Sequence, residues 1–326
     1  MSSRFVKIAA LCAGLAPILA GFTAPALAQS YPTQPIRIIV GFGPGSAADV
    51  LARLVGKHME AKLGQAVVIE NHPGNSSMTA AESVARAPAD GYTLFMATVA
   101  NTLNPVQMHT AFNLGNDLAP IALLGVVPNV LVAHPSVPAG NLKELIALAK
   151  SKPDSLTFGS SGAGTAGHMA AELFNQTVGV HVVIVPYQGG SNQAVVDLLA
   201  GRIKLMFGVA VTMAPYVAAG RLKALAVAQQ KRAAILPDVP TLSEAGMPGY
   251  DAGIWIGLLA PKGTPAAIVD KLAGAADDAL KAPQVETTLK KQGTDPAGGT
   301  PQQFAGFIKA DIAKWTKAFA AAGHTK

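Results

Sequence analysis

"IRIIVGFGPGSAADVLARLV", residues 36–55, is a β-branched run, then a turn crowded with glycine and proline, then a helical pattern. A strand that delivers such a turn to a helix start builds an anion site. The first N–H groups of the helix have no intrahelical partner, and the helix dipole is positive at that end. The spacing decides which anion. Gly41 and Gly43 give G-x-G, but the third glycine of a dinucleotide fingerprint would be residue 46, which is Ser46, and Pro44 sits inside the turn. Glu70 in "AVVIEN" stands where a ribose-binding acid would follow. The broken fingerprint is a weak signal, and a pyrophosphate is disfavoured.

Residues 1–28 carry Arg4 and Lys7, the apolar run "IAALCAGLAPILAGF" and then "ALA" before Gln29, the layout of a secretory signal peptide cut after Ala28. The one cysteine, Cys12, lies inside that run, so a mature chain has no thiol for disulfides or thiol chemistry. The expected location is the periplasm. No later segment has the roughly 18 uninterrupted apolar residues that span a bilayer. Of 25 basic residues, losing Arg4 and Lys7 leaves 23 against 19 acidic, a net charge of +4. That balance is mild, and the lysines are scattered, which leaves no nucleic-acid footprint.

Strand-like runs ("IRIIV", "AVVIEN", "YTLFMA", "NVLVAHP", "LTFGS", "HVVIVPY", "KLMFGV", "LKALAVA", "IWIGLLAP") alternate with helical patterns, so the chain reads as α/β. Leu51, Leu54, Val55 and His58 share one helical face; Phe304, Ile308, Ile312, Trp315 and Phe319 share another, and both are core stripes. The length favours two domains. "GPGSAADVLARLV" at 43–55 and "GAGTAGHMAAELF" at 162–174 each follow a β-run, supply glycines and a hydroxyl, and open a helix. Two such helix starts facing each other would clamp an anion. The expected hinges are "VVPNVLVAHP" and "GIWIGLLAP", each crossing between domains as a strand.

These segments, with "VVIENHPGNSSMTAAESVARAPADGYTLF", "VPYQGGSNQAVVDLLAGRIKLMF", "LPDVPTLSEAGMPGY" and "GLLAPKGTPAAIVDKL", resemble in order and type the Bug family, the TctC-like periplasmic receptors of tripartite tricarboxylate transporters. The resemblance implies a two-domain periplasmic-binding-protein fold, a Venus flytrap with its ligand cleft between the domains. It also implies a small carboxylate ligand, delivery to integral membrane permease subunits, no cofactor and a monomeric receptor. The expected domains are 29–128 plus 252–326, and 129–251.

On the same resemblance, Phe42, Pro44, Gly45 and Ser46 match the family's aromatic-x-Pro-Gly-Gly loop, with Ser46 for the second glycine. Gly74, Asn75, Ser76 and Ser77 stand where the family has Gly-Ala-Gly-Gly, and helix capping by Ser76 or Ser77 is the competing role. In the second domain Ser160, Ser161, Gly162, Gly164 and Thr165 offer hydroxyls and amides that suit a carboxylate, and Thr165 also reads as an N-cap. His168 is expected to pack or cap as a neutral ring. Many family members carry an aspartate where this chain has Gly208, in "KLMFGVAV". With Asp49 read as a dipole partner and Glu70 at a strand end, no acid is left for an ammonium. The ligand is expected to be an aliphatic dicarboxylate or an aromatic carboxylate, the aliphatic case slightly favoured. Phe42 keeps the aromatic case open, as does Trp255, which reads equally as core or cleft. A serine hydrolase is the rival reading, but "GSSGA" misses G-x-S-x-G at Ala163, and nothing pairs a base with Ser161. A sensor without transport is another. The seven histidines show no metal-ligand spacing.

Overall fold

Hydrophobic strands and capped helices alternate along the chain as the sequence pattern requires. The computed structural model describes residues 31–108, 112–162, 165–187 and 191–321. The expected signal peptide, residues 1–28, lies outside them. Within the unit Pro32–Lys326 the strands are β1 (Ile36–Val40), β2 (Val67–Asn71), β3 (Thr93–Thr98), β4 (Leu118–Val127), β5 (Asn129–Ala133), β6 (Thr157–Ser160), β7 (Val183–Pro186), β8 (Leu205–Val209), β9 (Lys223–Val227), β10 (Ile254–Pro261) and β11 (Asp295–Pro296). The helices are α1 (Ala47–Leu63), α2 (Met78–Ala85), α3 (Ala100–Met108), α4 (Leu114–Asp117), α5 (Leu142–Ser151), α6 (Ala166–Val178), α7 (Ser191–Leu199), α8 (Ala210–Ala218), α9 (Ala266–Lys281), α10 (Pro283–Lys291) and α11 (Pro301–Ala321).

The strands form two mixed sheets, one of six in the order β11-β4-β10-β3-β1-β2 and one of five in the order β7-β6-β8-β5-β9. β1 runs parallel to β2 and β3, with Ile38 opposite Ile69 and Leu94. β6 runs parallel to β7 and β8. Antiparallel strands flank each parallel set. Ligands of open α/β sheets bind beyond the carboxyl ends of parallel strands. Those ends here include Val40, Asn71, Thr98 and Ser160, and the loops that follow Val40, Asn71 and Ser160 are ones the sequence picks out.

At one expected hinge the chain passes between the sheets: β4 ends at Val127 in the first and β5 begins at Asn129 in the second. The other is displaced. β10 lies wholly in the first sheet. The return crossing precedes it, where the Ala252 N–H donates to the Ala228 carbonyl (2.7 Å) and Asn129 Nδ2 to the Ala252 carbonyl (3.2 Å).

The helical stripes pack as their periodicity demands. Leu51, Val55 and Met59 of α1 are buried while Leu54 and His58 are half-buried; Phe304, Ile308 and Trp315 of α11 are buried and Ile312 half-buried. The Phe319 side chain is outside the described residues. Trp255 belongs to this core and does not face the cleft. It is 1% exposed, sits 5.8 Å from each of the Phe304 and Phe307 rings, and donates from Nε1 to Asp311 Oδ2 (2.9 Å). Buried Asp311 also accepts from Thr102 Oγ1 (2.7 Å) and Trp315 Nε1 (3.1 Å), tying β10, α3 and α11 together. Side chains alternate across a strand, so Ile254 and Ile256 take the opposite face, toward the cavity described next.

Candidate functional site

Both helix starts are capped as the sequence pattern requires. Ser46 is extended (φ −66°, ψ 156°) and its Oγ accepts from the Asp49 N–H (3.3 Å); Thr165 (φ −74°, ψ 161°) accepts likewise from the His168 N–H (3.5 Å). Extended backbone at the N-cap aims the hydroxyl at the third helical N–H.

The two caps line one cavity of about 370 Å³. Phe42, Ser46, Ser76, Thr98 and Asn104 contribute from the first-sheet loops, Thr165 and Ala166 from α6, and Ile254 and Ile256 from β10. A second cavity of about 220 Å³ shares Thr165, Ala166 and Ile254 and adds Ser161, Gly208 and Met213. Neither is lined by a charged side chain among the described residues. Pro44, Gly45, Gly74, Asn75, Ser77, Ser160 and Gly162 line neither cavity, and Gly164 is outside the described residues.

Buried Asp49 anchors the first loop. It accepts from the Gly45 N–H (2.9 Å), from Asn71 Nδ2 (2.9 Å) and from Arg53, whose Nη2 is 2.9 Å from Oδ1. Burial pushes its carboxyl up, but the bonds from Arg53, Gly45 and Asn71 and the Arg53 charge outweigh that and hold it below the usual carboxylate range. Asn71 Nδ2 also reaches the Phe42 carbonyl (3.0 Å), fixing the strand exit. Glu70 is spent on Arg37 (2.6 Å).

The second loop departs from expectation. Asn75, Ser76 and Ser77 all have left-handed backbone (φ 45°, 51° and 75°). Ser77 stands at the N-cap of α2 yet makes no capping bond, since a cap needs extended backbone. Its side chain is buried against Gly41 with Oγ unpartnered, and no capping bond from Ser76 is present either. Neither capping role is realised.

The chain is similar to known proteins over most of its length. A family profile described as "Tripartite tricarboxylate transporter family receptor" matches residues 51–323. The chain belongs to this family. It is 34% identical to protein BugT of Bordetella pertussis over 299 residues, 91% of each chain. Its structure is similar to that of MatC from Rhodopseudomonas palustris with bound malate (32% identity, TM-score 0.70, 88% of this chain and 99% of that one). It is also similar to Rpa4515 from R. palustris with adipate (34% identity, TM-score 0.70, 90% and 98%).

Receptors of this family bind solutes and are not a class of enzyme. In the loop before α6, Ser161 Oγ donates to Thr165 Oγ1 (3.2 Å), and Thr165 donates to the Gly162 carbonyl (2.8 Å). His168 Nδ1 lies 3.3 Å from Ser160 Oγ, and Ser160 is fully buried. At Gly208 a Cβ would fall 2.8–2.9 Å from the Met213 side chain, so the space beside it is filled by an apolar group. Thr98, Leu103, Asn104 and Ile256 escaped the sequence reading. The signal was present, since "TVANTLN" follows a strand and opens a helix, but it lacks the glycines that mark the other loops.

Proposed function

We propose that this chain is a periplasmic receptor that captures a small carboxylate between its two sheets and delivers it to the permease of a tripartite tricarboxylate transporter. The observation that carries the reading is the uncharged cavity into which two hydroxyl-capped helix starts, Ser46 of α1 and Thr165 of α6, both converge. A carboxylate there meets helix dipoles and neutral donors, without the desolvation cost of a buried counter-charge. Residues 29–128 with 252–326, and residues 129–251, are proposed as the lobes that close on it, a division that follows sheet membership. Closure is driven only by contacts better made in the closed state. The relatives with malate and adipate support an acid as ligand. A thermal-shift screen of small carboxylates on the purified protein tests this. A ligand at a hundred times its dissociation constant adds about 2.7 kcal/mol, and a screen in which no carboxylate raises the melting temperature would refute the proposal.

A further inference from the structure

β10 separates two cavities. Ile254 and Ile256 face the one described above, while Gly253 and Trp255 line another behind the strand, of about 290 Å³. Its walls come from β4, β11 and α11 on one side and from the connection between β9 and β10 on the other. Half-buried Leu123, Val126 and Phe307 give it an apolar side. The polar side is acidic. Asp295 Oδ2 accepts from Gln229 Nε2 (3.2 Å), and Asp251 accepts from the Gly253 N–H (3.3 Å) and from Gln230 Nε2 (3.4 Å). None of those donors is a cation, and neither acid has an ion pair among the described residues. Gln229 is only 5% exposed, and its Oε1 has no hydrogen-bond partner among the described residues. A Cβ at Gly253 would lie 3.1 Å from Val126 Cγ1, 3.4 Å from Gln229 Cβ and 3.6 Å from Asp251 Oδ1. Apolar wall, buried amide and acid therefore meet around one glycine. Burial pushes the Asp295 carboxyl above its ordinary value, against the bonds from Gln229 and the Ala234 N–H and the charges of Lys290 and Lys231. Exposed Lys231 also lines the cavity and offsets one of the two acids.

We propose that this rear cavity is a second ligand site, for a small primary amine in its ammonium form with an apolar body. The ammonium donates to Asp295, Asp251 and Gln229 Oε1, and the body lies along Leu123, Val126 and Phe307. An ammonium carries three donors and no acceptor, which matches a wall of two carboxylates and an orphaned amide oxygen. Hydrogen bonds between charged partners are the strong ones, and a half-buried carboxylate without a counter-charge gains most from one. The volume is at the lower limit of small-molecule sites, so the ligand is small. The site lies across β10 from the cleft and does not depend on what the cleft binds.

The test is calorimetry of the purified protein at neutral pH with benzylamine, hexylamine, benzyl alcohol and Nα-acetyl-lysine methylamide. At least one of the two free amines is expected to bind about tenfold or more tighter than the alcohol. Asp295→Asn should weaken that binding about tenfold, while Asp278→Asn, which removes an exposed acid of α9 paired with Lys62, leaves it within about twofold. Benzyl alcohol binding as tightly as benzylamine would overturn the proposal, as would amines that all bind more weakly than about 1 mM. Amine binding that survives both Asp295→Asn and Asp251→Asn would do the same. Nα-acetyl-lysine methylamide binding tighter than both free amines would overturn it in favour of a lysine side chain of a protein partner. Far-UV circular dichroism checks that each variant folds; if Asp295→Asn does not, Asp251→Asn and the amine-to-alcohol ratio of the wild type decide. Every one of these outcomes leaves the carboxylate screen of the cleft untouched.

Discussion

The start of α1 and the start of α6 carry the same local grammar, a glycine-rich turn, a hydroxyl N-cap and a helix, yet they present different chemistry to the cavity. The difference lies three residues past the cap. In α1 that position is Asp49, which turns back to hold the Gly45 N–H and is itself held by Arg53 and Asn71. The loop is braced from behind, and the Ser46 proton is left for the cavity. In α6 the position is His168, whose Nδ1 lies 3.3 Å from Ser160 Oγ, and within the loop Ser161 Oγ donates to Thr165 Oγ1 and Thr165 Oγ1 donates to the Gly162 carbonyl. The same cap is thus backed by a carboxylate with three partners in one loop and by hydroxyl-to-hydroxyl and hydroxyl-to-carbonyl bonds in the other.

Removing the brace should have the largest effect. Asp49→Ala leaves the Gly45 N–H, one Asn71 contact and Arg53 without their acceptor, and should cost about 2–4 kcal/mol in urea-melt stability. The same carboxylate makes a pH prediction. Its folded pKa lies below the unfolded value, so its contribution is full above the ordinary aspartate range, about 3.9, and fades as pH falls through the lowered folded value. The stability gap between wild type and Asp49→Ala should therefore close on acidification below about pH 4. A gap that stays constant to pH 2 would mean that Asp49 is not the brace.

Next in size is Gly41→Ala. The new Cβ would fall 2.0 Å from Ser77 Oγ and 2.7 Å from its Cα, so the second loop must move, at about 1–3 kcal/mol. Ligand affinity should fall with it if the Ser76 wall matters, as calorimetry would show. The two caps sharpen the comparison further: Ser46→Ala should cost about 1 kcal/mol of stability, and Thr165→Ala about 1 kcal/mol more, because its hydroxyl also donates to the Gly162 carbonyl and accepts from Ser161. Equal losses would show that those two extra bonds contribute nothing. The smallest effect, and the only gain, is expected from Ser77→Gly. It relieves left-handed backbone and an unpartnered buried hydroxyl, and should raise stability by up to about 1 kcal/mol.

How much was legible follows from the range of each interaction. The alternation of strands and helices, the buried faces of α1 and α11 and the Thr165 N-cap are set within a few residues, and the sequence displays them; Ser46 reads there only as a donor to the ligand, and its capping role appears in the structure. The placement of Trp255 was not legible. It depends on Asp311, 56 residues away on α11, a pairing that no local spacing encodes. The Ser77 misreading has the same origin: serine before a helix is ordinarily a cap, but close packing on Gly41 accompanies a left-handed backbone that no cap can use.

The sequence by itself therefore determined the α/β class, the family resemblance, the capped helix starts and the lack of an acid at Gly208, because each rests on residue type and local spacing. Only the tertiary structure decided that Ser46 and Thr165 line one cavity and that no charged side chain among the described residues lines it. It alone decided that Ile254 and Ile256 face the cavity while Trp255 turns into the core. Those facts depend on which carboxyl-terminal strand ends the two sheets bring together and which side of β10 each covers, and no local pattern encodes a contact between segments more than a hundred residues apart.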